Sequence, residues 1–265
     1  MLSQNAAMLK VDGAKVNGAK VNGAKVDGKV DGVNINGGMA SREAAFLPLE
    51  LGILESIGLN NLLKHQQLLH KGEHVYHIGE PCHALFVVRS GSIKGYIPTN
   101  WGDENVQGFH LSRDLIGLEA LSEHHYFSSA VALEVSTVYI LPIEPLEKIY
   151  ENMPSVSKIL YKLIGSVIDN NHMMFTLLGK KNSMVRVATL LLSLSTRYCE
   201  RGYSATEFCL TMTRRDIGNY LGLAEETVSR IFTQLNLLGI LTADKKQLKI
   251  HDIDALSAIA ADKLT

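Results

Sequence analysis

The chain has 265 residues, of which 46% are hydrophobic, and its 26 Lys and Arg nearly balance 27 Asp and Glu for a formal net charge of −1. That length suits about two domains with enough apolar residues to bury a core in each, and the near-neutral balance excludes a uniformly basic surface, so any nucleic-acid affinity must be local. No apolar run reaches membrane-spanning length, the first residues lack a signal-peptide core, and three scattered cysteines make no disulfide framework; a cytoplasmic protein with no membrane partner is expected.

In chain order, residues 1–43 read as a low-complexity, disordered tail. Valines recur at Val11, Val16, Val21 and Val26 within V-D/N-G-A-K units, a five-residue period that fits neither helix nor strand. Gly, Asn and Asp favour turns, and no aromatic is present to build a core. A repeat solenoid would have too few large apolar residues to support itself, and the other alternative is a tether that contacts a partner.

A first domain is expected over 44–153, opening with a short amphipathic helix from about Ala44 to Asn60. Apolar stretches then follow at Ala84 to Val88, Ile93 to Ile97, Val106 to Leu111, Ala130 to Leu133 and Thr137 to Leu141, punctuated by Gly72, Gly79, Gly91, Gly102 and Gly117. Short strands between glycine turns predict an antiparallel barrel or roll. Histidines crowd between His65 and His83, including His70, His74 and His77; solvated side chains are the simple reading, and a haem or metal role the lesser one. Cys82, beside Pro81 in a predicted loop, is the candidate redox thiol, whereas Cys209 sits in an apolar strand and Cys199 near a helix end.

Beyond Pro154 the pattern becomes a long helix over 154–180. Val156, Leu160, Leu163, Val167, Asn170, Met174 and Leu177 fall at spacings of four and three, a heptad seam; a single helix packed against its own domain gives a similar stripe, but the unbroken length favours a parallel two-stranded coiled coil and hence a homodimer. Asn170, buried in such a seam, would fix register at a cost in stability.

The remainder, 181–265, is expected to be a DNA-binding domain. An amphipathic helix (Val187, Leu190, Leu191, Leu194) leads to a short helix from Arg214 to Leu221 capped by Thr213, a turn at Gly222 and Leu223, and a second helix from about Glu225 to Leu238. That is a helix-turn-helix pattern, with Val228, Ile231, Phe232, Leu235 and Leu238 as the buried stripe of its second member. Glu226, Thr227, Ser229 and Arg230 lie off that stripe at its start, where a recognition helix meets base edges. Arg230 can grip guanine O6 and N7, and Glu226 can accept from a cytosine amino group. A hairpin over Thr242 to Ile250 forms a wing whose Lys245 and Lys246 reach phosphate, and a last helix runs from Asp252 to about Ala261. The predicted DNA-binding set is Thr213, Arg214, Arg215, Glu226, Thr227, Ser229, Arg230, Lys245 and Lys246. The stretch from Lys180 to Arg215 adds Lys180, Lys181, Arg186, Arg197 and Arg201 to its basic character.

Leu210 to Arg230, LTMTRRDIGNYLGLAEETVSR, resembles the DNA-binding motif of the CRP/FNR superfamily of transcription regulators, within its FNR branch. The similarity extends from about Gly58 to Leu256 and includes Arg89 to Lys94 and Gly108 to Leu111. It implies an α+β chain with an N-terminal double-stranded β-roll of the cyclic-nucleotide-binding kind, a long dimerisation helix and a C-terminal winged helix-turn-helix. Glu226, Ser229 and Arg230 match the E-x-x-S-R pattern of the branch, implying palindromic double-stranded DNA with TTGAT-like half-sites, and RNA polymerase as a partner. Ala224 departs from the family, whose members usually carry Ser or Thr there, and the lost cap costs on the order of 1 kcal/mol.

In the same resemblance, relatives that bind cyclic AMP carry a Gly-Glu pair and a phosphate-binding Arg. Here Leu118 follows Gly117 and Ser128 takes the Arg position, so the main phosphate grip is lost. Oxygen-sensing members hold an iron-sulfur cluster on four cysteines; this chain has none before Cys82, and Tyr139 stands at the roll position, so no such cluster is expected. No cofactor is therefore predicted, though haem or another effector stays open. No phosphate loop, nucleophile elbow or metal-ligand motif points to an enzyme. The alternative to a regulator is a ligand or redox sensor acting mainly through protein partners.

Overall fold

The computed structural model describes residues 65–99, 103–144 and 154–262, with the side chains of 154–160, 162, 163 and 180 outside the described set. The predicted tail and the helix from Ala44 to Asn60 lie outside the described residues.

Among the described residues, eight strands build the first domain: β1 (Gln66–Leu69), β2 (His74–Tyr76), β3 (Ala84–Ser90), β4 (Ser92–Pro98), β5 (Glu104–Leu111), β6 (Leu115–Ile116), β7 (Ser129–Ala132) and β8 (Ser136–Pro142). They form two antiparallel four-stranded sheets, ordered β1-β8-β3-β6 and β2-β7-β4-β5. In β3, Ala84 to Val88 are all buried, the mark of a strand covered on both faces, and it pairs with β8 through Leu85 opposite Leu141 and Val87 opposite Tyr139. Between β4 and β5, Gly95 faces Gly108 while Tyr96 faces Val106, so Gln107 is the extra residue of a bulge that bends the pair. The five predicted strands are present as β3, β4, β5, β7 and β8. The roll is filled by Leu69, Tyr76, Leu85, Phe86, Ile93, Ile116, Tyr126, Val138 and Leu141.

Helix α1 (Pro154–Lys180) begins on a proline, whose fixed φ and missing N–H suit a first turn. Asn182 caps α2 (Ser183–Glu200), its side chain accepting from the Val185 amide at 2.9 Å. Then come β9 (Glu207–Cys209), α3 (Arg214–Leu221), α4 (Glu225–Leu237), β10 (Leu241–Asp244), β11 (Gln247–Ile250) and α5 (Ile253–Ala260), with the strands in a sheet ordered β10-β11-β9. Leu191, Leu194, Ile217, Leu221, Leu235, Leu241 and Leu248 have side chains removed from water, each such burial contributing about 1.5–3 kcal/mol. Val106, Phe109, Leu111 and Leu133 of the roll belong to this same apolar cluster, so the core runs without a break from β5 into the helix-turn-helix. No helix among the described residues is long and apolar enough to cross a membrane.

Gly91 turns the chain from β3 to β4 at φ +83°, and a Cβ there would collide with the backbone and side chain of Ser136. Replacing Gly91 with Ala is expected to destabilise the roll by more than about 1 kcal/mol, read as a lower urea midpoint.

Candidate nucleic-acid interface

Helix α3 starts in a reciprocal cap. The Thr213 hydroxyl accepts from the Asp216 amide at 3.0 Å, and the Asp216 carboxylate accepts from the Thr213 amide at 2.8 Å and its hydroxyl at 2.6 Å. Burial pushes the Asp216 carboxyl up, but the hydrogen bonds from Thr213 and Lys94 outweigh it and hold the group below its ordinary value. Gly222 ends the helix in the left-handed conformation at φ 63°. Gly218 has no room for a Cβ, which would press on the Leu223 carbonyl oxygen, and that absence lets the turn fold close against α3.

Ala224 supplies no side-chain cap to α4, as its chemistry requires. Val228, Ile231, Phe232 and Leu235 bury one face of α4, while Leu238 is 59% exposed and falls outside the stripe assigned to it. Glu226, Ser229 and Arg230 are exposed together on the opposite face, at positions i, i+3 and i+4, with Thr227 half-buried beside them. Thr233 and Gln234, one turn further along, are exposed too, a continuation that the motif alone did not single out. Lys245 and Lys246 form the exposed tip of the β10–β11 hairpin, with Lys245 at φ 53°.

The basic stretch before α4 is largely turned inward. Arg214 lies with its guanidinium 3.3 Å from the centre of the Phe232 ring, and burial pulls its pKa down; it ties α3 to α4 and is occupied by that packing. Arg186 donates from Nε to the Lys181 carbonyl (3.0 Å) and from its two terminal nitrogens to the carbonyls of Leu221 (3.0 Å) and Leu178 (2.7 Å). Arg197 and Arg201 both grip Asp114 of the roll, Arg201 at 2.6 Å, and Arg197 also donates to the Phe109 carbonyl at 2.8 Å. Arg215 remains exposed, with a loose pairing to Asp103 at 3.2 Å. The stretch is basic in sequence, but tertiary carbonyls, a carboxylate and an aromatic ring engage four of its arginines.

Sequence patterns did not mark the residues that join the two halves. Lys94, on β4, is only 7% exposed; its ammonium meets Glu104 across the strand pair and Asp216 Oδ1 at 2.9 Å. Ser92, two residues earlier on the same face, donates to the Thr211 hydroxyl at 2.8 Å. A lone lysine inside an apolar strand and an aspartate before Leu115 were the available signals.

Inside the roll, Tyr76 and Tyr126 stack at 3.9 Å between centroids, with Phe86 beside Tyr76 at 5.8 Å. Ser128 donates to Glu119 Oε1 at 2.8 Å, and the Tyr76 hydroxyl approaches the same oxygen at 3.4 Å. A carboxylate thus occupies the surroundings of Ser128. Cys82 is buried, its thiol donates to the Ala84 carbonyl, and burial pushes its pKa up, which removes it as a reactive thiol. His74 and His77 stack at 4.1 Å, His74 sharing a hydrogen bond with the Tyr96 hydroxyl; no set of three His, Cys, Asp or Glu among the described residues is grouped to hold a metal.

Of the predicted α1 seam, the side chains of Val156, Leu160 and Leu163 lie outside the described residues. Leu177 is 8% exposed within the core of its own reading head, with Met174 packed against that core, so neither is presented outward. Val167 is 41% exposed and Asn170 half-buried. Among its described residues α1 also presents the apolar side chains of Tyr161 (63%), Ile164 (41%), Ile168 (49%) and Phe175 (72%).

A cyclic nucleotide-binding domain matches residues 66–153 and a Crp-like helix-turn-helix domain residues 185–259. The chain is 40% identical over 218 residues to the transcriptional activator protein Anr of Pseudomonas aeruginosa, covering 82% of this chain and 89% of that one. It is 39% identical over 214 residues to the fumarate and nitrate reduction regulatory protein of Escherichia coli, covering 81% and 86%. The solved structure of FixK2 from Bradyrhizobium japonicum superposes with a TM-score of 0.67 at 31% identity, over 74% of this chain and 96% of that one. Two domain matches in the right order, relatives alike over most of their length, and an exposed Glu-Ser-Arg face on a helix-turn-helix make this chain a member of the CRP/FNR family of DNA-binding transcription regulators.

Proposed function

We propose that the protein acts as a homodimer that reads a palindrome of TTGAT-like half-sites, with Glu226, Ser229 and Arg230 at base edges and Thr213, Arg215, Thr227, Lys245 and Lys246 around the phosphates. The observation that carries this reading is the common exposure of Glu226, Ser229 and Arg230 opposite the buried face of α4. Arg214, with the face of its guanidinium stacked on Phe232, is assigned to orienting α4 against α3.

The pairing surface is Tyr161, Ile164, Ile168 and Phe175, which fall at spacings of three, four and seven. It lies one residue beyond the expected seam at each step, a rotation of about 100° around the helix, and puts Asn171 where Asn170 was expected. RNA polymerase is the further partner in this reading, supported by the activator role named for the relative in Pseudomonas aeruginosa. Such a regulator works in the cytoplasm. No cyclic nucleotide is its effector: Glu119 beside Ser128 would repel a cyclic phosphate, and Tyr76, Phe86 and Tyr126 fill the roll.

Three substitutions separate the roles, with binding measured by fluorescence anisotropy on a TTGAT palindrome and on a scrambled duplex. Arg230→Ala is expected to cost about 1–3 kcal/mol on the palindrome and little on the scrambled duplex; equal loss on both would make Arg230 a phosphate contact. Arg215→Ala should weaken binding to both alike and flatten the dependence of log K on log salt by about one. Arg214→Ala should lower the melting temperature, with a loss of up to about 2 kcal/mol in unfolding free energy.

A further inference from the structure

Lys94 sits at an unusual junction. Strand β4 belongs to the roll, and its residues 92 and 94 point to one face, which is covered by the reading head rather than by the second sheet. The carboxylate that Lys94 reaches is Asp216, the residue that fixes the first turn of α3 through Thr213. The Lys94 and Asp216 side chains are 9% and 10% exposed, so water and salt screen their pairing little. Nearby, the Tyr96 ring lies 5.2 Å from the ammonium and Ser92 adds its bond to Thr211.

Both ions have a second partner on their own side of the junction. If the reading head lifts away, Lys94 keeps Glu104 and Asp216 keeps the amide and hydroxyl of Thr213. Neither charge is then left buried and uncompensated, the situation that makes most buried pairs hard to break. The contact is strong when closed and yet separable. Because α4 is locked to α3 by the close turn at Gly218 and by Arg214 on Phe232, whatever orients α3 orients the recognition helix.

We propose that Lys94 is a positioning residue for DNA recognition: by holding Asp216 it sets the angle of the reading head against the roll, and so the half-site spacing that the dimer accepts. This rests on the two-fold reading given above and deepens it. The test uses the full chain and three palindromic duplexes, one with the spacing the wild type prefers and two with the spacer longer or shorter by one base pair. Each base pair turns the second half-site by roughly 35° about the duplex axis, so a rigid dimer discriminates and a loosened one does not.

The wild type should prefer its spacing by about tenfold or more, and Lys94→Met should shrink that ratio to about threefold or less, the difference being a little under 1 kcal/mol. Asp216→Asn, which reaches the junction from the other side and keeps an oxygen for the cap, should shrink it likewise, and Lys94→Arg should restore it. If Lys94→Met and Asp216→Asn keep the wild-type ratio, or lose affinity by one factor on all three duplexes as their melting temperature falls, Lys94 is a packing residue and the proposal is overturned. A wild type indifferent to spacing would remove the two-fold reading itself and this proposal with it.

Discussion

The architecture hangs on one buried carboxylate. Asp114 accepts from the Leu111 amide at 2.8 Å and takes the guanidinium groups of Arg197, on the last turn of α2, and of Arg201, the residue that follows that helix. Removing one member of such a cluster leaves a desolvated charge without its counter-ion, at a cost of about 3–5 kcal/mol. Helix α2 is thereby pinned to the end of β5, α4 and α5 pack on α2, and α3 packs on α4 and on β5, all within one apolar cluster that includes Leu191, Leu194, Ile217 and Leu256. The reading head is therefore not an appendage on a linker. Polar bonds at Asp114 and Lys94 and the shared apolar cluster around Phe109 and Tyr220 make roll and head one folded body, with the Phe109 and Tyr220 rings 5.3 Å apart.

The two halves carry opposite electrostatic offers. On the head, Arg215, Arg230, Lys245 and Lys246 are exposed, as are Glu226 and Ser229 of α4, a set that suits a phosphate-lined groove. In the roll, Glu119 accepts from Ser128 and lies near Tyr76, beside a core that includes the rings of Tyr76, Phe86 and Tyr126. The head thus exposes a polar and basic face while Tyr76, Phe86 and Tyr126 pack the interior of the roll.

Local patterns carried most of the architecture. Glycine-bounded apolar stretches mark β3, β4, β5, β7 and β8, and Thr213, Gly222 and Asp252 sit where caps and turns demand them. The two-residue β6 and three-residue β2 are too short to give a period. Arg214 shows why side-chain roles are harder: its charge at a helix start looks suited to phosphate, and only the approach of Phe232 from the next helix claims it. The seam of α1 was ambiguous for a visible reason. Leu160–Tyr161, Leu163–Ile164, Val167–Ile168 and Met174–Phe175 are apolar doublets, so two adjacent stripes fit the heptad equally well. At its last turns the head covers Leu177 and Met174 of the first stripe, while further up the helix Val167 of that stripe and Ile168 of the other are both exposed. Lys94 and Asp114 have partners 122 and 83 or more residues away, a distance no window along the chain can span.

Arg186 stitches three pieces of the chain, the end of α1 at Leu178, the connector at Lys181 and the end of α3 at Leu221. Its reach depends on the count of residues between Leu178 and Arg186, since adding or deleting one would swing the Leu178 carbonyl about 100° around the helix and out of reach. The break between α1 and α2 is consequently a poor place to splice reading heads between related regulators. A transplant that preserves this three-way tie has to begin upstream of Leu178 and travel with its own stretch of rod.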